Sequence, residues 1–323
     1  GDIKIRLRRY YMLLKQILEV YEYVDSATAN GYEIKKYMES LGAKDVVVKT
    51  ITGDKGRTDF IQIRIPGLKG KSKGMDAPTL GVLGRLGGVG ARPEMIGMVS
   101  DADGAVVALA VAAKLLDMQK KGDFLYGDVV VSTHICPDAP TQPHKPVPFM
   151  GSPVDMATVN REEVSGELDA ILSIDTTKGN RIINHKGFAI SPTVKEGYIL
   201  KVSDDLLDIM EITTGKLPAV FPITTQDITP YGNGLYHINS ILQPSTATKA
   251  PVVGVAITTE VPVPGCATGA SHPYDLEMAA RFTIEVAKAF GKGDCKFYDE
   301  EEFERLTKLY GSMHHIQTLG KQE

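Results

Sequence analysis

Four side chains able to ligate a metal each stand just past a short apolar run with the look of a buried strand. Asp101 follows Met95-Ile96-Gly97-Met98-Val99, His134 follows residues 128–133, and Asp175 follows residues 170–174. His272 lies beyond the apolar run 252–258, after a loop rich in Pro and Gly. In open α/β sheets, ligands bind in the crevice beyond the carboxyl ends of the strands. Carboxylate and imidazole are the donors that zinc, manganese or cobalt take. The pattern therefore predicts a metal site of Asp101, His134, Asp175 and His272, with zinc or another divalent metal as cofactor.

Each of these residues also has a plainer reading. In Ser100-Asp101-Ala102-Asp103-Gly104, an aspartate either bridges two cations or caps a helix, accepting its orphan N–H groups and suiting its dipole. The two roles are compatible for two different aspartates. Thr133-His134-Ile135-Cys136-Pro137-Asp138 packs three ligand types into five residues. Here His134 and Cys136 suit a borderline metal, and Asp138 is a candidate ligand or general base. The plainer reading makes His134 a hydrogen-bonded structural residue. Pro137, Pro140, Pro143, Pro146, Pro148 and Pro153 follow; proline fixes φ and removes donors, so this is a stiff extended connection or a wall beside a pocket. Asp175 opens Thr-Thr-Lys-Gly-Asn, ordinary turn chemistry. His272 precedes Pro273, a residue suited to the first position of a helix. His144, His185, His237, His314 and His315 lack a comparable context. Gly84 to Gly90 lacks both the third glycine of GxGxxG and the GK[ST] of a phosphate loop, and HExxH does not occur.

The elements that must position these residues follow from periodicity. Residues 4–23 and 31–41 read as helices, the second closed by Gly42. Residues 46–48 and 59–65 read as strands, and 67–78, with its glycines and lysines, as an exposed loop. Strand candidates at 79–83, 128–133, 170–174 and 251–258 are short and continuously apolar, as expected of strands buried on both faces. They alternate with a helix at 104–120, one capped by Ser203, and one at 275–290. Such alternation predicts an α/β fold: a three-layer αβα sandwich with a mainly parallel central sheet. Residues 1–298 form a single domain in this reading, and 299–323 a charged, amphipathic helical tail.

Bulk properties narrow the function classes. The chain has 323 residues, 43% hydrophobic and 24% charged, values ordinary for a globular protein. A net charge of −4 gives no reason to expect nucleic acid or an anionic membrane as a partner. No apolar run reaches the ~18 residues of a membrane span, and the basic start lacks the apolar core of a signal peptide. Three cysteines without CxxC spacing fit a reducing compartment. A cytoplasmic protein is the expectation, and exposed helices at 4–23 and 300–315 are consistent with a homo-oligomer.

Taken in order, Ser100-Asp101-Ala102-Asp103-Gly104-Ala105, Asp175 and Ser271-His272-Pro273 resemble successive motifs of the zinc-dependent exopeptidase and amidohydrolase superfamily. The resemblance spans roughly residues 10–290, without an inserted lid domain. It implies that Asp101 is the metal-bridging carboxylate, Asp175 a ligand, and His272 the last ligand before the final helix. Where that superfamily has His-x-Asp, this chain has Arg85-Leu86-Gly87, and where it has Glu-Glu, this chain has Cys136-Pro137. The catalytic base and two metal ligands are thus replaced, with His134 the candidate substitute. The chain is also similar to a family catalogued only as a domain of unknown function.

Two functions remain open on these residues. One is a metal-dependent hydrolase of amide or peptide bonds in a small substrate, with His134 or Asp138 taking the proton and Arg85 or Lys178 holding a substrate carboxylate. The other is a non-catalytic protein that binds a peptide or amino acid on a peptidase-like fold, since function lives in the site and not the fold. In either case the partner is a small-molecule or short-peptide ligand.

Overall fold

A computed structural model describes residues 13–85, 87–223 and 239–318. The elements run in chain order as α1 (Leu14–Val24), α2 (Gly31–Ser40), β1 (Val46–Gly53), β2 (Gly56–Ile65), β3 (Leu80–Gly84), α3 (Asp103–Lys120), β4 (Val129–Ile135), β5 (Thr141–Gln142) and β6 (Phe149–Met150). There follow α4 (Met156–Glu163), β7 (Ala170–Thr176), β8 (Gly187–Ile190), β9 (Val194–Lys195), β10 (Tyr198–Ile199), α5 (Asp204–Thr214), α6 (Asn239–Leu242), β11 (Val252–Thr258), α7 (Pro273–Gly291) and α8 (Glu300–Tyr310).

The strands run β1-β2-β4-β3-β7-β11-β9-β10, with β8 also on β11. β4, β3, β7 and β11 are parallel neighbours. The β1–β2 hairpin and the strands 187–199 add antiparallel margins. The molecule is a mixed α/β fold with a mostly parallel central sheet. All seven residues of β4, all seven of β11 and all five of β3 are buried, which is why these strands read as unbroken apolar runs.

Alternation along the central strands divides their side chains between two clusters. Val82, Val131, Leu172 and Val253 pack with Val106, Leu109, Ile17 and Phe282 of the helices α3, α1 and α7. Leu83, Val130, Ile171 and Ala256 pack instead with Ile241 and Leu242. Helix α3 is buried through most of its length, as its all-round apolar sequence requires.

Most expected elements lie within a residue or two of their expected ends. Ser203 caps α5 through a bond from Leu206 N–H, and Asn30 caps α2 through Glu33 N–H. The expected helix 4–23 is seen from Leu14 onward; residues 1–12 lie outside the described residues. Helix α4 and strands β8, β9 and β10 had no clear periodicity and were not expected. α4 follows the proline-rich stretch and is capped by Asp155 through Thr158 N–H. No described helix is long and apolar enough to cross a membrane.

Candidate functional site

Three chain segments meet beyond the carboxyl ends of β3, β7 and β11. After β3 the chain reaches a 3₁₀ turn, Ser100–Ala102, which leads into α3. Ser100 N–H donates to Ala267 O at 2.9 Å, and Asp101 N–H to Gly265 O at 3.2 Å. Ser100 Oγ donates to the carbonyls of Pro264 and Gly265. Thr176, ending β7, donates its hydroxyl to Ser100 O at 3.0 Å. The loop after β11 therefore lies over the turn that carries Asp101. A side chain at Gly265 would strike Asp101 Oδ2, so only glycine allows this approach.

Within this junction the charges are arranged around one lysine. Lys178 Nζ donates to Asp103 Oδ2 and to Ala270 O, both at 3.2 Å, and lysine and aspartate are 4% and 0% exposed. Ser271 Oγ donates to the other oxygen of Asp103. Asp103 is the first residue of α3, where the helix dipole also favours an anion. Burial still pushes its carboxyl above the usual range, against the opposing pull of Lys178.

Asp101 is held differently. It is 8% exposed, and its carboxylate accepts no hydrogen bond from a described residue. Burial first, then the charges of Asp175 and Asp103, push its pKa up to about 7, with Lys178 opposing. Like charges in a dry site cannot all ionise cheaply, and Asp101 exchanges its proton near neutrality. Asp175 is 1% exposed, and its Oδ1 accepts from its neighbour Thr176 N–H at 2.7 Å. His272 caps the start of α7 by position only, with its side chain half exposed and Nδ1 4.0 Å from Asp275 Oδ2. Its charge reaches Asp103.

The end of β4 has another character. His134 is 1% exposed. Gly87 N–H donates to its Nε2 at 3.1 Å, which fixes the proton on Nδ1, and Nδ1–H then donates to Thr58 Oγ1 at 2.8 Å. Thr58 Oγ1 donates its own hydrogen bond to Ile135 O. Burial, followed by the charge of Arg85, lowers the histidine pKa to about 3. Both ring nitrogens are thus committed, and His134 has no lone pair left for a metal or a substrate proton. The reading of His134 as ligand and base is corrected to the structural one. Gly87 permits the contact: a Cβ there would collide with His134 O.

Other expected site residues also land elsewhere. Asp138 is exposed and accepts from Cys136 Sγ at 3.7 Å. The Cys136 thiol is pushed up to about 12, chiefly by burial, and is no thiolate donor. Arg85, one of the two residues expected to hold a substrate carboxylate, is 1% exposed and turned inside. Its Nη2 donates to Asn160 Oδ1, and Nε lies 3.7 Å from Glu163 Oε2. Lys178, the alternative holder, is spent on Asp103. Asn160 and Glu163 were missed because Asn160-Arg161-Glu162-Glu163 reads as an exposed polar run; only their i, i+3 spacing puts them on one face of α4.

The donors do not fit a zinc ion. His134 is consumed and Asp103 is neutralised by an ammonium. Among the described residues no group of three or more His, Cys, Asp or Glu is arranged to hold a metal. Asp101, Asp175 and His272 belong to segments that meet at one edge, where a buried lysine faces the carboxylates.

Comparisons with known proteins come to the following. The model of the family described as "Protein of unknown function (DUF1177)" matches residues 49–320. No curated protein matches the sequence. Among solved structures, the crystal structure of the LapA aminopeptidase of Legionella pneumophila is similar at a TM-score of 0.49 and 12% identity, covering 89% of this chain and 71% of that one.

Proposed function

We propose, from the premise that this chain belongs to the DUF1177 family of unknown function, that it binds a small amino-acid- or peptide-like ligand at the carboxyl edge of its sheet without a metal ion. The observation that carries this reading is the Lys178 ammonium bound to Asp103 inside the carboxylate group. A fixed internal cation supplies the positive charge that Asp101, Asp103 and Asp175 would otherwise draw from a metal. Asp101 is the group left to meet a ligand. Its carboxylate accepts no hydrogen bond from a described residue, and an amine or amide N–H would give it a charge-assisted one. With a pKa near 7, Asp101 would take up or lose a proton as such a ligand binds.

The architecture in this reading is a three-layer sandwich without a lid, one domain over 1–298 with a helical tail over 299–323. The protein would work in the cytoplasm, as a homo-oligomer, with neither nucleic acid nor membrane as partner. Calorimetric titration of amino-acid amides and dipeptides, with and without chelator, tests the function. The expected result is saturable binding that chelator does not change and that Asp101→Ala abolishes.

The second reading is a metal-dependent amide hydrolase, and the Asp101–Asp175 pair favours it. Their mutual repulsion is what a divalent cation relieves. It needs Lys178 to leave its place. A stoichiometric metal in protein purified without chelator, with peptide turnover that chelator removes, would establish this reading and overturn the first.

A further inference from the structure

The opposite face of the sheet holds a second polar group that nothing above uses. Arg85 heads the largest fully buried side chains among the described residues. One of its nitrogens donates to Asn160, while Nε and Nη1 have no hydrogen-bond partner. Glu163, wholly buried, stands 3.7 Å from Nε with both carboxyl oxygens unpartnered. Ser173 is also wholly buried, with its hydroxyl unpartnered. In folded proteins nearly every buried polar atom is bonded to protein, water or a ligand. Five such atoms in adjoining side chains make a group able to bind a guest.

The strands set the geometry. Arg85 N–H donates to Ile174 O, and Leu83 pairs with Ser173 across β3 and β7. Arg85 thus lies beside Asp175 and diagonal to Ser173. Leu83 and Ile171 belong to the cluster on the face away from α3, and alternation puts Arg85, Ser173 and Asp175 on that same face. Helix α4 brings Asn160 and Glu163 down onto them.

Donors prevail here. Arg85 offers two N–H directions and Ser173 one O–H. Burial, with Asp175 adding to it against the pull of Arg85, pushes Glu163 up to about 8. Glu163 is then a neutral acid with an O–H to give near neutral pH. A guest must therefore bring acceptor lone pairs, and a negative charge on it would share the guanidinium with Asp175.

We propose that Arg85, Ser173 and Glu163 form an internal binding site for a small carboxylate, next to Asp175 of the Asp101 edge but independent of the function proposed for that edge. Arg85 and Ser173 donate to the carboxylate oxygens, Glu163 closes the site as a third donor, and Asn160 holds the guanidinium in place.

The probe is sodium acetate, titrated calorimetrically into the full chain at pH 7 and constant ionic strength, with sodium chloride as control. Wild type is expected to bind acetate saturably. Ser173→Ala should raise Kd several-fold, whereas Glu163→Gln, which keeps a donor in the same position, should stay within about threefold. Arg85→Met, where it folds, should abolish binding; where it does not, the Ser173 and Glu163 variants decide. Absence of saturable uptake by folded wild type, or an acetate Kd indifferent to Ser173→Ala, overturns the site and leaves these atoms to internal water. Amines report the Asp101 edge and acetate reports Arg85, so each reading can fail without the other.

Discussion

The ends of β4 and β7 look alike in sequence and differ in chemistry. Each is a buried apolar strand running into a residue that can bind a metal. At β4 the neighbours claim that residue completely: Thr58 and Gly87 take both nitrogens of His134. Beyond β7 the neighbours leave the account open, because Lys178 settles Asp103 while Asp101 keeps a carboxylate with no hydrogen bond from a described residue. A reactive side chain at a strand end is thus only an opportunity. Whether it becomes a site depends on how many of its lone pairs the surrounding backbone consumes.

The strongest way to break this contrast is to remove the internal cation. Lys178→Met leaves Asp103 buried against Ser271 alone and is expected to cost about 3–5 kcal/mol; Asp103→Asn added to it should recover most of the loss. Denaturant unfolding of the single and double variants measures both, and a loss below about 1 kcal/mol would deny Lys178 its role.

Next is the pH dependence of stability. The Asp101 carboxyl is raised from 3.8 to about 7 on folding. The folded state therefore holds a proton that the unfolded state has released, and stability falls as pH rises from about 4 to 7, by on the order of 4 kcal/mol from this group. Asp101→Asn should flatten that slope in a pH series of unfolding curves. An unchanged slope would mean that Asp101 is ionised in the folded protein.

His134→Ala follows. It strands Gly87 N–H and empties space beside Phe60, whose ring lies 5.1 Å from the imidazole, so about 2–3 kcal/mol is expected. Ligand binding at the Asp101 edge should persist in the folded fraction. Loss of binding without loss of stability would return His134 to the site. The smallest effect is expected for Asp138→Ala, within about 0.5 kcal/mol and without change in binding, because the side chain is exposed.

Strands β3, β4, β7 and β11 were legible because burial on both faces writes an unbroken apolar run into the sequence. Helix α3 was legible for the same reason, and Ser203 by its capping chemistry. Helix α4 was not: its buried Asn160 and Glu163 are polar, and their reason for being inside is Arg85, 75 residues before Asn160 along the chain. Asp101, Asp175 and His272 are carried by segments that meet at one edge because the strand order brings β3, β7 and β11 side by side. The fate of His134 was hidden in a contact with Gly87, a residue with no side chain to announce it. Lys178 was visible, but its turn toward Asp103 depends on a loop whose path the sequence does not state.

Gly87 has a further consequence, for what could be built here. Any side chain at 87 would run into the backbone of His134, and a donor at 85 would have to evict a guanidinium held by Asn160 and Glu163. A substitution at either place disturbs something that now holds the sheet together. An effort to install a metal donor after β3 would therefore have to rebuild the backbone there first.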